Sequence, residues 1–134
     1  MPSSELYVAI YCNDSGIYKH WALFVDGPTD EEKLVFNILG SSTQYRFEME
    51  ESNAFLDPTL IEVFPLCDVD SSKIDAIKDA AQNAVIHNES PGYNCQDYVL
   101  ELLDDLEAKG IISRNDVEYA KNKQGVKDKQ EGLA

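Results

Sequence analysis

The chain has little positive charge: 11 lysines and arginines stand against 25 aspartates and glutamates, a formal net charge of −14 over 134 residues. Phosphate backbones and anionic membrane surfaces are held by clustered Lys and Arg that displace counterions. No basic stripe occurs anywhere in the sequence, so nucleic acid is excluded as a partner. Solubility alone accounts for the acidity. Cysteine is equally sparse, with Cys12, Cys67 and Cys95 making an odd number and no CxxC spacing. That excludes a disulfide framework and leaves no short-spaced set of metal ligands; reduced thiols in a cytoplasmic setting are the expectation. Neither a basic leader nor a long apolar run is present, so no signal peptide and no membrane span are expected. Repeats, low-complexity blocks and interdomain linkers are absent too.

What is present is ordinary globular material, 43% hydrophobic, in a length that suits one domain with a real core. That domain is expected over residues 1–124. Residues 125–134, from Gly125 on, are charged and weakly apolar and read as a frayed tail. Leu6–Tyr11, Ile17–Val25, Lys33–Leu39, Tyr45–Met49 and Leu60–Leu66 have the β-branched, aromatic or alternating character of strands, and Pro65 points to a sheet edge. The period then changes. Ser72–His87 carries Ile74, Ile77, Ala81, Ala84 and Val85 on one side of a helix; a second helix runs from about Asn94 to Lys109, and a third from Arg114 or Asn115 to about Lys123. Strands followed by helices predict an α+β fold, with a bent antiparallel sheet of about five strands against two to three helices.

The stretch Pro91-Gly92-Tyr93-Asn94-Cys95-Gln96-Asp97 is a turn that launches the second helix with a cysteine in its first turn. Asn94 is a good N-cap and Asp97 suits the positive end of the helix. A thiol placed there feels partial positive charge that favours the nucleophilic thiolate. The plain alternative is that Cys95 belongs to the apolar stripe of Tyr98, Val99, Leu102 and Leu106, since free cysteine is commonly buried.

Two histidines exist, His20 and His87. His87, near the end of its helix, reads as a surface or capping residue. His20 lies on the second strand. With Asp26–Glu31 as the connecting loop, Val25 pairs with Glu32 and His20 falls opposite Asn37, with Cβ atoms about 4.5–5.5 Å apart. A slip of one residue would send Asn37 to the other face. Otherwise His20 is a hydrogen-bonded core residue. Together, Cys95, His20 and Asn37 supply a nucleophile, a general base and a group that orients its ring, the parts needed for acyl transfer through a thioester. The helix-start N–H groups around Asn94 and Gln96 would bind the oxyanion, and Tyr18 and Tyr93 are candidate substrate contacts. No metal or cofactor is called for. The partner expected is a small-molecule or peptide acyl substrate.

His20-Trp21-Ala22-Leu23-Phe24-Val25, then Val35-Phe36-Asn37-Ile38, then Asn94-Cys95-Gln96-Asp97-Tyr98 resemble the circularly permuted papain-like fold. That group includes lecithin–retinol acyltransferase-like enzymes and permuted NlpC-type hydrolases, and the likeness leans toward small fungal-type single-domain members. The resemblance spans roughly Tyr7 to Leu106. It implies a cysteine hydrolase or acyltransferase with Cys95 as nucleophile, His20 as base and Asn37 as the orienting polar residue. Two features of the acyltransferase branch are missing, a histidine at the Asn37 position and a membrane-anchoring tail, which counts against membrane phospholipid as substrate. The rival expectations are a non-catalytic binding module on the same fold and an accessory protein that uses the pocket for cyclisation or acyl handover.

Overall fold

Side chains on neighbouring strand residues point to opposite faces, and this alternation sorts the chain into layers. The computed structural model describes residues 3–12, 19–40 and 43–130. Five strands, β1 (Ser3–Tyr11), β2 (His20–Asp26), β3 (Lys33–Leu39), β4 (Arg46–Glu51) and β5 (Leu60–Asp70), form one antiparallel sheet in the order β4-β3-β2-β1-β5. Three helices follow: α1 (Ile74–Asn83), α2 (Cys95–Ala108) and α3 (Val117–Asp128). The chain is therefore α+β, as its order of strands and helices predicts.

One face of the sheet turns alternate residues of three adjacent strands toward the helices: Val8 and Ile10, Trp21 and Leu23, Phe36 and Ile38. Trp21 thus packs toward the helical layer. The other face carries a smaller apolar set, Ala9, Tyr11, Ala22, Phe24 and Val35, covered by Ala54 in a short 3-10 turn. From α2, Leu102, Leu103 and Leu106 are fully buried. Burying a side chain of that size stabilises by roughly 1.5–3 kcal/mol. The helix packs on β2 and β3, so this burial fixes where its first turn meets the sheet.

Pro65 lies on the edge strand β5, opposite Tyr7, and the register shifts beside it, where Leu6 pairs with Cys67 and Tyr7 with Pro65. A proline has no N–H for the ladder, so an edge position at a bulge accommodates it.

Three expectations need correcting. The β2–β3 register runs Asp26↔Lys33 to Leu23↔Phe36, two residues away from the pairing of Val25 with Glu32. A 3-10 turn over Asp30–Glu32, closed by the Gly27 N–H donating to the Glu32 carbonyl at 3.1 Å, takes those residues out of the strand. Helix α1 ends at Asn83, so His87 lies beyond it and pairs instead with Glu101 at 3.0 Å. The third helix does not stop before Gly125: it continues to Asp128, because Val126 is fully buried in the core. Gly125 sits inside it against the Phe64 ring, where a Cβ would lie 3.4 Å from Cε1.

Candidate active site

Asn94 builds the site's first element. Its Oδ1 accepts the Gln96 N–H at 2.8 Å, and its own N–H donates to Asp97 Oδ2 at 3.0 Å, a reciprocal capping box that also takes the Asp97 N–H. Asn94 is therefore a cap, and the Gln96 and Asp97 N–H groups are spent on it. Of the first-turn N–H groups proposed from sequence to meet an oxyanion, that of Cys95 is the one outside the cap.

Cys95 opens the helix and rests on the backbone around His20. The Trp21 N–H donates to its Sγ at 3.4 Å, and the thiol faces the Lys19 carbonyl at 3.9 Å. Gln96 is wholly buried and donates from Nε2 to the same carbonyl at 2.9 Å. It fastens the helix start to the entry of β2 and has no surface left for a substrate. Tyr93 is buried as well, its ring edge-on to Tyr45 and His87, and it does not line the cavity described below. Tyr18 lies outside the described residues.

His20, half-buried, packs its ring on that of Tyr11, its partner across β1 and β2, with centroids 5.7 Å apart. Carried one residue further, the observed β2–β3 register sets Asn37 opposite Ala22, so His20 is its diagonal neighbour. A slip of two residues keeps both on one face, the face that carries Ala22 and Val35. Diagonal neighbours stand roughly 7–8 Å apart. Among the described residues no hydrogen bond joins His20 to Asn37 or to Cys95, and Asn37 Oδ1 is buried without a partner.

Cys95, His20 and Asn37 nevertheless line one cavity of about 390 Å³. Tyr11 also lines it, and four further wall residues were not found by sequence reasoning: Tyr45, Glu50, Asp57 and Thr59, from the β4 edge and the turn before β5. The one signal for them is the turn chemistry of Asp57-Pro58-Thr59, which says nothing about where the turn folds back.

Burial dominates the electrostatics. It lowers the His20 pKa, which leaves the ring neutral near pH 7 and able to accept a proton. It pushes the Cys95 thiol up to about 11, outweighing the N–H groups of Trp21, Cys95 and Gln96 that favour the thiolate; Asp97 adds to the rise. The thiolate expected from the helix-start position is thus not the resting form, because Cys95 is only 2% exposed and the cap puts a carboxylate nearby. Among the described residues no cluster of three or more His, Cys, Asp or Glu side chains is arranged to hold a metal ion, and no helix is long and apolar enough to cross a membrane.

No curated protein and no solved structure matches the chain. The span that carries His20, Asn37 and Cys95 does match a family: residues 6–113 fit the one described as "Family of unknown function (DUF6540)", and the chain belongs to it.

Proposed function

We propose that this protein is a cysteine-dependent hydrolase or acyltransferase that acts on a small-molecule or peptide amide, ester or thioester, in the manner of the permuted papain-like enzymes its sequence resembles. The observation that supports this reading is one cavity with Cys95, His20 and Asn37 in its wall, three residues that come from separate elements. In the first step the Cys95 S–H proton passes to a ring nitrogen of His20 as sulfur bonds to the substrate carbonyl carbon. The carbonyl oxygen takes up negative charge beside the Cys95 N–H. The bond to the leaving group then breaks, and His20 returns the proton to that group. Water, or another acceptor, gives its proton to His20 as it attacks the thioester, and the thiol is regenerated when the C–S bond breaks.

Because burial leaves both partners neutral at rest, this is base-assisted attack by a thiol, without a preformed ion pair. Asn37 orients the imidazole from its diagonal position once a bound molecule bridges the two. Cys67 and Cys95 are free thiols, which suits a reducing, cytoplasmic setting.

The test is acylation by p-nitrophenyl acetate, followed by intact mass and peptide mapping. The expected result is an acetyl group on Cys95 that is absent from Cys95→Ala and formed far more slowly in His20→Ala. Failure of the unsubstituted protein to acylate at Cys95 overturns the proposal. One observation favours a second reading, a binding module: Cys95 is only 2% exposed. Its mark is ligand binding that survives Cys95→Ala, with no adduct under any condition.

A further inference from the structure

Part of the cavity wall has no task in the acyl-transfer chemistry. Glu50 on β4 and Asp57 in the turn before β5 bring two carboxylates to it, and none of the described lining residues is Lys or Arg. Lys19 and Arg46, which adjoin the lining residues His20 and Tyr45 in sequence, are exposed and do not line it, and Arg46 pairs with Glu48 at 3.1 Å. Both carboxylates act on Tyr11, whose phenol is pushed up to about 12 by burial first, then by Asp57 and Glu50. The Thr59 hydroxyl and N–H donate to Asp57 Oδ1 at 2.7 and 2.8 Å and hold that carboxyl below its ordinary range, so it is ionised at neutral pH.

An independent observation comes from Asn37. Its side chain is 5% exposed and lines the same cavity, and Oδ1 is the buried side-chain polar atom that lacks a partner among the described residues. Buried acceptors are nearly always satisfied, so an orphan acceptor on a residue of the cavity wall calls for a donor brought by a bound molecule. A cavity of about 390 Å³ is near the small end of ligand sites, which run from roughly 300 to 1,000 Å³.

We propose that this cavity selects a small cationic acyl compound, of the class of α-amino acid amides and esters, with its ammonium group facing Glu50 and Asp57 and an N–H donated to Asn37 Oδ1. The acyl half of this statement rests on the Cys95–His20 reading; the cationic half does not.

The experiment keeps the two apart. L-Alaninamide, N-acetyl-L-alaninamide and succinamate, which are cationic, neutral and anionic, are titrated by calorimetry and ¹H–¹⁵N shifts into the full chain carrying Cys95→Ala. Saturable binding of alaninamide is expected, at least about tenfold tighter than either analogue. Glu50→Gln and Asp57→Asn should each weaken it about three- to tenfold, while Glu118→Gln, on the exposed face of α3, leaves it unchanged. Absence of saturable alaninamide binding, or equal binding of the neutral or anionic analogue, overturns the proposal. Cation-selective binding without ammonia release from alaninamide or hydrolysis of alanine methyl ester by the unsubstituted chain would retain the cation site and discard the hydrolase. Preferential hydrolysis of N-acetylalanine methyl ester would do the reverse.

Discussion

Alkylation of Cys95 by iodoacetamide as a function of pH separates an assisted thiol from a merely buried one. With the pKa pushed up to about 11, roughly one molecule in 10,000 holds a thiolate at pH 7. A free thiol with a pKa near 8.5 holds about three in a hundred, about 300-fold more. Thiolates of higher pKa are intrinsically stronger nucleophiles, which recovers about a factor of ten with a Brønsted slope of about 0.4–0.5. Unassisted, Cys95 should therefore react about 20- to 30-fold more slowly than a small free thiol at pH 7, and its rate should climb with pH until about 11. That is the profile expected for His20→Ala. With His20 present as base, the rate at pH 7 should exceed the variant's by at least tenfold and level off above the lowered His20 pKa. Peptide mapping by mass spectrometry separates Cys95 from Cys12 and Cys67, and the urea-unfolded chain gives the free-thiol reference. His87→Ala, which removes a ring packed on Tyr93 and absent from the cavity wall, should leave the profile unchanged. Superimposable curves for the unsubstituted chain and His20→Ala would refute base assistance, and loss of the plateau in His87→Ala would mean that the wrong imidazole had been chosen.

Other outcomes follow from the same contacts. The folded pKa of Cys95 lies above its unfolded value near 9, so the stability it brings, up to about 2–3 kcal/mol, is complete below pH 9 and lost as pH rises through about 11. Urea midpoints that stay flat from pH 8 to 11 would contradict this. Asn94→Ala removes the capping box and should cost about 1–2 kcal/mol in urea unfolding, whereas Asn94→Asp should keep most of it. Gly125→Ala should stabilise α3 by about 0.5–1 kcal/mol, because the new Cβ only touches Phe64, while Gly125→Val should lower the urea midpoint by crowding that ring.

Much of the architecture could be read from periodicity, because a strand with one buried face and a helix with an apolar stripe announce themselves within a few residues. Cys95 opening a capped helix and Trp21 turned toward the helices belong to that class. Features set by non-local packing did not. Gly125 opens a charged stretch that reads as a frayed tail, yet the helix runs through it because Val126 is buried in the core and Phe64, far away in sequence, packs beside it. The β2–β3 register depended on a 3-10 turn that no residue pattern between Gly27 and Glu32 specified, and the face of Asn37 survived only because the slip was even. The pKa direction of Cys95 was missed for the same reason: the helix start is a local feature, whereas burial against β2 is a property of the whole fold. Glu50 and Asp57 reach the cavity through a chain reversal that alternation cannot foresee.

The sulfur of Cys95 touches the main chain on both sides of His20, and among the described residues it makes no hydrogen bond to a side chain. Those two contacts consequently do not depend on which side chain residue 19 carries, whereas Trp21 is held in place by its buried ring. Lys19, exposed and preceding His20 in sequence, could be exchanged without removing the carbonyl that the thiol and Gln96 face. Proline at residue 21 would remove the N–H that donates to the sulfur.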